Sequence, residues 1–256
     1  MSKLADLIRR AVRLEPAPIG FGSAGRRAPA TLVLAALVAE RWSKAAAEAV
    51  EAGADLVLLT GKPSEKEIDE AVAAADGRSC GILASQADRD QMARLREAGS
   101  DFVALELQSP AGALQEEKIG LLLHLKDDLT DIQLRTLEAQ PLDAIFFERD
   151  VSPLTIARQM ELQRVSALAR KPLLLHVRLD VEKQELVCLR EAGVALVGVD
   201  TRERGATEAL RRLRGVIDSL PPRRRPRRDE RPAVSLPLAS ASGGDEEDED
   251  EDDDGE

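Results

Sequence analysis

A chain of 256 residues with 43% apolar content can bury one large core, and its length suits a single α/β barrel as well as two average domains. With four Phe, one Trp and no Tyr, it lacks the aromatic inventory of a base-stacking nucleic-acid binder, and Leu, Val and Ala must fill its interior. The net charge of −11 is uneven: from Pro221 onward six Arg oppose thirteen Asp and Glu, so the body is only mildly acidic.

The first predicted element is an amphipathic helix over residues 3–14, with Leu4, Leu7, Ile8, Ala11 and Leu14 on one stripe. It is expected to plug the bottom of a domain or to contact another subunit, giving a homo-oligomer. Surface binding to an anionic membrane is the alternative. Gly20-Phe21-Gly22-Ser23-Ala24-Gly25 matches GxGxxG, but no strand precedes it and Arg26-Arg27-Ala28-Pro29 stands where a helix should begin. It is read as a loop. Residues 1–30 thus form a lead-in.

From residue 31 the pattern alternates. Strands are expected at Thr31–Val38, Asp55–Thr60, Ser79–Ser85, Asp101–Leu107, Ile119–Leu125, Asp143–Glu148, Pro172–Leu179 and Ala195–Asp200, each followed by a helix. Ser64 with Glu67, and Thr130 with Gln133, predict capping boxes, and Ser152 before Pro153 predicts a helix start. The weakest helical pattern lies near Ala111–Glu117. One phrase recurs at intervals of about 40–50 residues: a helix end, a glycine, then a short apolar run. Its copies begin at Glu51-Ala52-Gly53, Glu97-Ala98-Gly99 and Glu191-Ala192-Gly193, with a glycine-free version at Glu138-Ala139-Gln140-Pro141. Glycine ends a helix in the left-handed conformation, and an apolar run this short suits a strand buried on both faces. Eight such units over residues 31–220 predict an α/β fold of the (β/α)₈ TIM-barrel type; an open doubly wound sheet is the alternative.

After Leu220 the alternation stops. Residues 221–256 hold a Pro-broken arginine cluster at Arg223–Arg228, a short apolar piece at Val234–Leu238, and an acidic run from Asp245 to Asp254. Such a composition predicts a disordered C-terminal tail, acting as a solubilising segment or as the contact for a basic protein partner. Nucleic acid is not an expected partner, because the acidic run would repel phosphates. Cys80 and Cys188 show no CxxC or metal-finger spacing, so reduced thiols are expected. Met1-Ser2-Lys3-Leu4 does not open a signal peptide and no apolar run reaches the ~20 residues of a membrane span, so a cytoplasmic protein is expected.

In a barrel, chemistry gathers at the carboxyl ends of the strands. Strand alternation turns Glu106, His124 with Lys126, Glu148, His176 with Arg178, and Asp200 inward. The only two histidines occupy matching places in Leu121-Leu122-Leu123-His124-Leu125-Lys126 and Leu173-Leu174-Leu175-His176-Val177-Arg178. Three readings are open: a divalent metal held by imidazoles and carboxylates, a metal-free acid–base site, or a ring of mutually neutralising charges. No metal ligand set and no cofactor is assigned. His124, His176, Glu106 and Glu148 are the candidate proton carriers. Lys126, Arg178, Lys62 and Asp200 are the candidate substrate-binding residues.

The strand–helix phrases, most closely Glu191-Ala192-Gly193-Val194-Ala195-Leu196-Val197-Gly198-Val199, resemble the aldolase-type barrel superfamily with its phosphate-binding and flavin-dependent members. The resemblance implies phosphate binding by glycines after strands seven and eight, at a helix N-terminus. Strand seven instead runs into Arg178-Leu179-Asp180-Val181-Glu182, and after strand eight only Gly205 is suitably placed. The strand-six position where many aldolases keep a Schiff-base lysine falls in the Phe147-Glu148 region. The expected function is that of a lyase or isomerase acting on a small anionic substrate. The alternative is a non-catalytic barrel working by association through its N-terminal helix and acidic tail.

Overall fold

The structure, a computed structural model, describes residues 2–12, 31–149 and 151–221, all within one compact unit, Met1–Arg223. Leu14, the GxGxxG match, Arg223–Arg228, the 234–238 piece and the acidic run lie outside the described residues.

Eight parallel strands close in sequence order: β1 (Val33–Val38), β2 (Leu56–Leu59), β3 (Ser79–Leu83), β4 (Phe102–Glu106), β5 (Gly120–Leu125), β6 (Ala144–Phe147), β7 (Leu173–His176) and β8 (Val194–Asp200). β1 pairs with β8 through Val33↔Leu196 to Leu37↔Asp200, which excludes an open sheet. Seven strands are trimmed relative to their apolar runs, and β8 starts one residue earlier than expected. The helices are α1 (Lys3–Val12), α2 (Trp42–Glu51), α3 (Glu65–Ala74), α4 (Arg89–Glu97), α5 (Asp131–Thr136), α6 (Ile156–Ala169), α7 (Lys183–Glu191) and α8 (Ala206–Asp218).

Two expectations are corrected. The segment after β4 forms only a 3₁₀ turn over Ala111–Gln115; Pro110 and Gly112 disfavour a longer helix, and too few residues remain before β5. The helix after β6 starts at Ile156, three residues beyond Pro153, because the Thr155 side chain accepts the Arg158 N–H as its cap. Both expected capping boxes are present, at Ser64 with Glu67 and Thr130 with Gln133. A third, Asp88 with Gln91, opens α4.

The repeated phrase works as its chemistry requires. Gly53, Gly99 and Gly193 have φ of +99°, +83° and +99°, the left-handed turn that swings each chain from helix into strand. The acid after this turn has a second job. Asp55 accepts the Leu34 N–H at 2.9 Å and Asp143 the Leu121 N–H at 2.9 Å. Each carboxylate thereby ties the start of its own strand to the preceding strand.

Strand alternation splits the apolar residues into two sets. Val103, Leu105, Leu121, Leu123 and Leu125 pack outward under the helices. Ala35, Leu58, Phe102, Ala104, Leu122, Ala144 and Leu174 fill the barrel. With so few aromatics inside, the lower end needs a plug, and α1 supplies it. Leu4, Ile8 and Ala11 join the interior set, and Leu4 is fully buried, worth about 1.5–3 kcal/mol on its own. The Asp101 carboxylate accepts the Lys3 and Leu4 N–H groups at 2.7 and 2.8 Å and the Ser79 hydroxyl at 2.5 Å. A carboxylate at these unpaired N–H groups suits the positive end of a helix dipole. With α1 packed into the bottom of the barrel, the carboxyl-end face is where chemistry is expected.

Candidate functional site

Register decides which side chains meet. Glu106 pairs with His124, His124 with Phe146, and Phe146 with Leu174. The two histidines, matched in their sequence phrases, therefore stand at different heights. His124 is level with Leu174, and His176 lies two residues further up β7. Barrel strands are staggered, so like phrases do not imply like levels.

His124 is enclosed, its side chain 1% exposed. One imidazole face stacks on Phe146, with centroids 4.8 Å apart and 13° between planes. Nε2 lies 2.7 Å from Glu148 Oε2. Nδ1 faces Glu106 Oε1 at 3.7 Å, too far for a hydrogen bond, and has no other partner. Burial is the strongest influence on the ring and lowers its pKa against the raising pull of Glu148 and Glu106. The ring is accordingly neutral near pH 7, with its proton on Nε2 donated to the Glu148 carboxylate. Glu106 in turn accepts from Lys126 Nζ at 2.7 Å. That bond holds the Glu106 carboxyl below its ordinary value and raises Lys126.

Glu148 forms one solvent-reaching end of this chain, with its side chain 52% exposed, and Lys126 forms the other. Glu148 lies on the wall of a cleft of about 440 Å³ at the upper ends of β6, β7 and β8, together with His176, Arg178 and Asp200. His176 stands half-exposed, its Nε2 3.3 Å from Glu203 Oε1 but misaligned for a hydrogen bond. Asp200 is gripped by Arg202 at 2.6 Å. Burial alone would raise its pKa, but the bonds and charge of Arg202, with that of His176, outweigh it and hold the carboxyl low. Arg178 is held more loosely, 3.4 Å from Asp180 and 4.0 Å from Glu185.

Seven of the eight predicted residues thus fall into one connected region, His124, Glu148, Glu106 and Lys126 on one side and His176, Arg178 and Asp200 on the other. Lys62 does not join them; it lines a different cleft, between α3 and α4. Sequence reasoning read Ser152 only as a helix-start signal and passed over Glu203; they sit in the loops after β6 and β8. Neither lies on a strand, so no alternation pointed to them. Arg149 and Arg202 are at strand ends, where a functional role was readable.

Among the described residues, no three His, Cys, Asp or Glu side chains converge as a metal site. The glycine pair that the resemblance implies is incomplete: Glu182 occupies the N-cap position of α7, with no side-chain cap bond, and Gly205 that of α8. No helix among the described residues is long and apolar enough to cross a membrane.

No family model and no curated protein matches the sequence. Solved structures do match. An HpcH/HpaI aldolase from Desulfitobacterium hafniense DCB-2 is 14% identical, covering 74% of this chain and 94% of that one at a TM-score of 0.54. KGPDC from Streptococcus mutans is 9% identical over 73% and 97%, with a TM-score of 0.60. (S)-3-O-geranylgeranylglyceryl phosphate synthase from Thermoplasma acidophilum is 15% identical over 86% and 100%, with a TM-score of 0.53. At such identities the likeness is one of fold. The chain is a TIM barrel.

Proposed function

We propose that the protein is an enzyme that moves a proton on a small anionic substrate bound between β6, β7 and β8, as a lyase or isomerase does. The observation that carries this reading is the half-exposed Glu148 carboxylate, fixed from below at 2.7 Å by a buried, neutral His124. An ionised carboxylate with one oxygen tied and the other free is an oriented base. His176, on the neighbouring strand and the wall of the same cleft, would return the proton. Of the cations at the mouth, Arg178 is the best anion partner, because its contacts of 3.4 and 4.0 Å cost less to exchange than the 2.6 Å grip of Arg202 on Asp200. Lys126 is similarly engaged by Glu106.

A second reading, a non-catalytic barrel acting by association, draws support from the same pairing. Arg149, Arg178 and Arg202 each have a carboxylate of their own, as a purely structural network would.

The two readings separate in heavy water. A panel of small 2-oxo and 3-hydroxy carboxylates would be incubated with the protein in D₂O and followed by proton NMR for loss of the hydrogen next to the carbonyl or carboxylate. The proposal expects accelerated exchange of at least one compound, slowed about 10²–10⁴-fold by Glu148→Gln. Equal exchange rates for the two proteins would overturn it.

A further inference from the structure

We propose that the barrel carries a second ligand site, between the N-terminal half of α3 and α4, for an amphiphilic anion with a carboxylate head and an apolar body. This does not rest on the proton chemistry assigned to the β6–β8 cleft. The space measures about 700 Å³, within the usual range of small-molecule sites. It opens because α3 packs toward α2, and α4 toward the 3₁₀ turn. Its floor is apolar: Ile68 of α3, Ile82 of β3 and Leu95 of α4. Its rim carries two cations, Lys62 and Arg94, against one carboxylate, Glu65.

The contrast with the first cleft is what singles this one out. There every cation has a close carboxylate. Here Lys62 makes no ion pair or hydrogen bond with any described residue, and Arg94 reaches only Glu65, at 3.7 Å between two exposed side chains. The loop that carries Lys62 is held in place. Gly61 takes φ +87°, and a side chain there would meet the Ala39 carbonyl at 3.3 Å as well as being strained. Trp42 Nε1 donates to the Thr60 carbonyl at 3.0 Å, and the Thr60 hydroxyl to that of Val38 at 3.3 Å. A lysine on a braced loop, over an apolar floor and without an ion-pair partner, offers one ionic contact and a desolvated body contact to the same ligand. The helix starts beside it are already satisfied by the Ser64 and Asp88 capping boxes, so the ligand's charge must meet the side chains.

The test is an NMR titration of the ¹⁵N-labelled full chain with octanoate, and with 1-octanol as the uncharged control. Octanoate should shift backbone amides in 61–68 and 82–95 saturably, octanol should bind more weakly, and Lys62→Glu should weaken octanoate by at least about 5-fold. Lys62 is exposed, so the variant should fold, and its unperturbed spectrum elsewhere would confirm that. No saturable shift, shifts confined to 148–152 and 176–203, equal binding of octanol, or unchanged affinity in Lys62→Glu would each overturn the proposal.

Discussion

His124 and Glu148 meet at 2.7 Å between Nε2 and Oε2, with the imidazole sealed against Phe146 and the carboxylate half in water. The pair spans the boundary between core and cleft. Burial disfavours the charged form of the ring, and this has a measurable cost at low pH.

The His124 pKa lies below its unfolded value of 6.5. Between those two values the unfolded chain binds more protons, so stability falls as pH falls. His124 therefore contributes its full stability above pH 6.5, and this is lost as pH drops toward the folded pKa. Urea melts between pH 5 and 7.5 should show this decline in the wild type and a shallower one in His124→Gln. Identical slopes would mean that the ring does not titrate differently on folding.

Asp101→Ala should release the plug. It removes the acceptor for two N–H groups of α1 and for the Ser79 hydroxyl, for a loss of about 2–4 kcal/mol. Hydrogen exchange should rise across Lys3–Val12 more than in β5 or β6.

Two glycine substitutions should differ although both residues have positive φ. At Gly193 a Cβ would lie 2.2 Å from Ser166 Oγ, adding overpacking to backbone strain, so Gly193→Ala should cost about 2–4 kcal/mol. At Gly205 nothing lies within 4 Å, so Gly205→Ala should cost only about 1 kcal/mol. Chemical melts of the two variants give the comparison directly.

Lys126→Met should barely destabilise the fold. The Lys126 side chain is 51% exposed, so solvent screens its bond to Glu106 and the pair is worth about 0–1 kcal/mol. The Glu106 carboxyl should instead titrate at higher pH once its partner is gone, which carbon-detected NMR can follow.

Much of this was legible in the chain. The glycine that ends a helix and the apolar run behind it act locally, so the eight strands and their order could be read from single phrases. Alternation then sent Glu106, His124, Glu148 and Asp200 inward. What alternation cannot give is height. The stagger that sets His124 below His176 comes from the closure of the whole barrel, and no single phrase contains it. The same limit separates Lys62 from the other cations. Lys62 follows a strand end as Arg178 does, yet the loop geometry set by Gly61 and Trp42 carries it to another cleft. The short turn after β4 was foreshadowed by Pro110 and Gly112, while the start of α6 went to Thr155 because a hydroxyl cap outcompeted the proline signal.

The most direct test of the central claim is the protonation state of His124. Nitrogen NMR of ¹⁵N-histidine-labelled protein at pH 7 distinguishes a neutral ring protonated on Nε2 from an imidazolium, and His176→Gln assigns the signals. The account predicts a neutral Nε2–H tautomer whose shifts move on Glu148→Gln. An imidazolium at pH 7, or a proton on Nδ1, would mean that Glu148 is not held by a neutral donor, and the oriented base at the centre of this proposal would not exist.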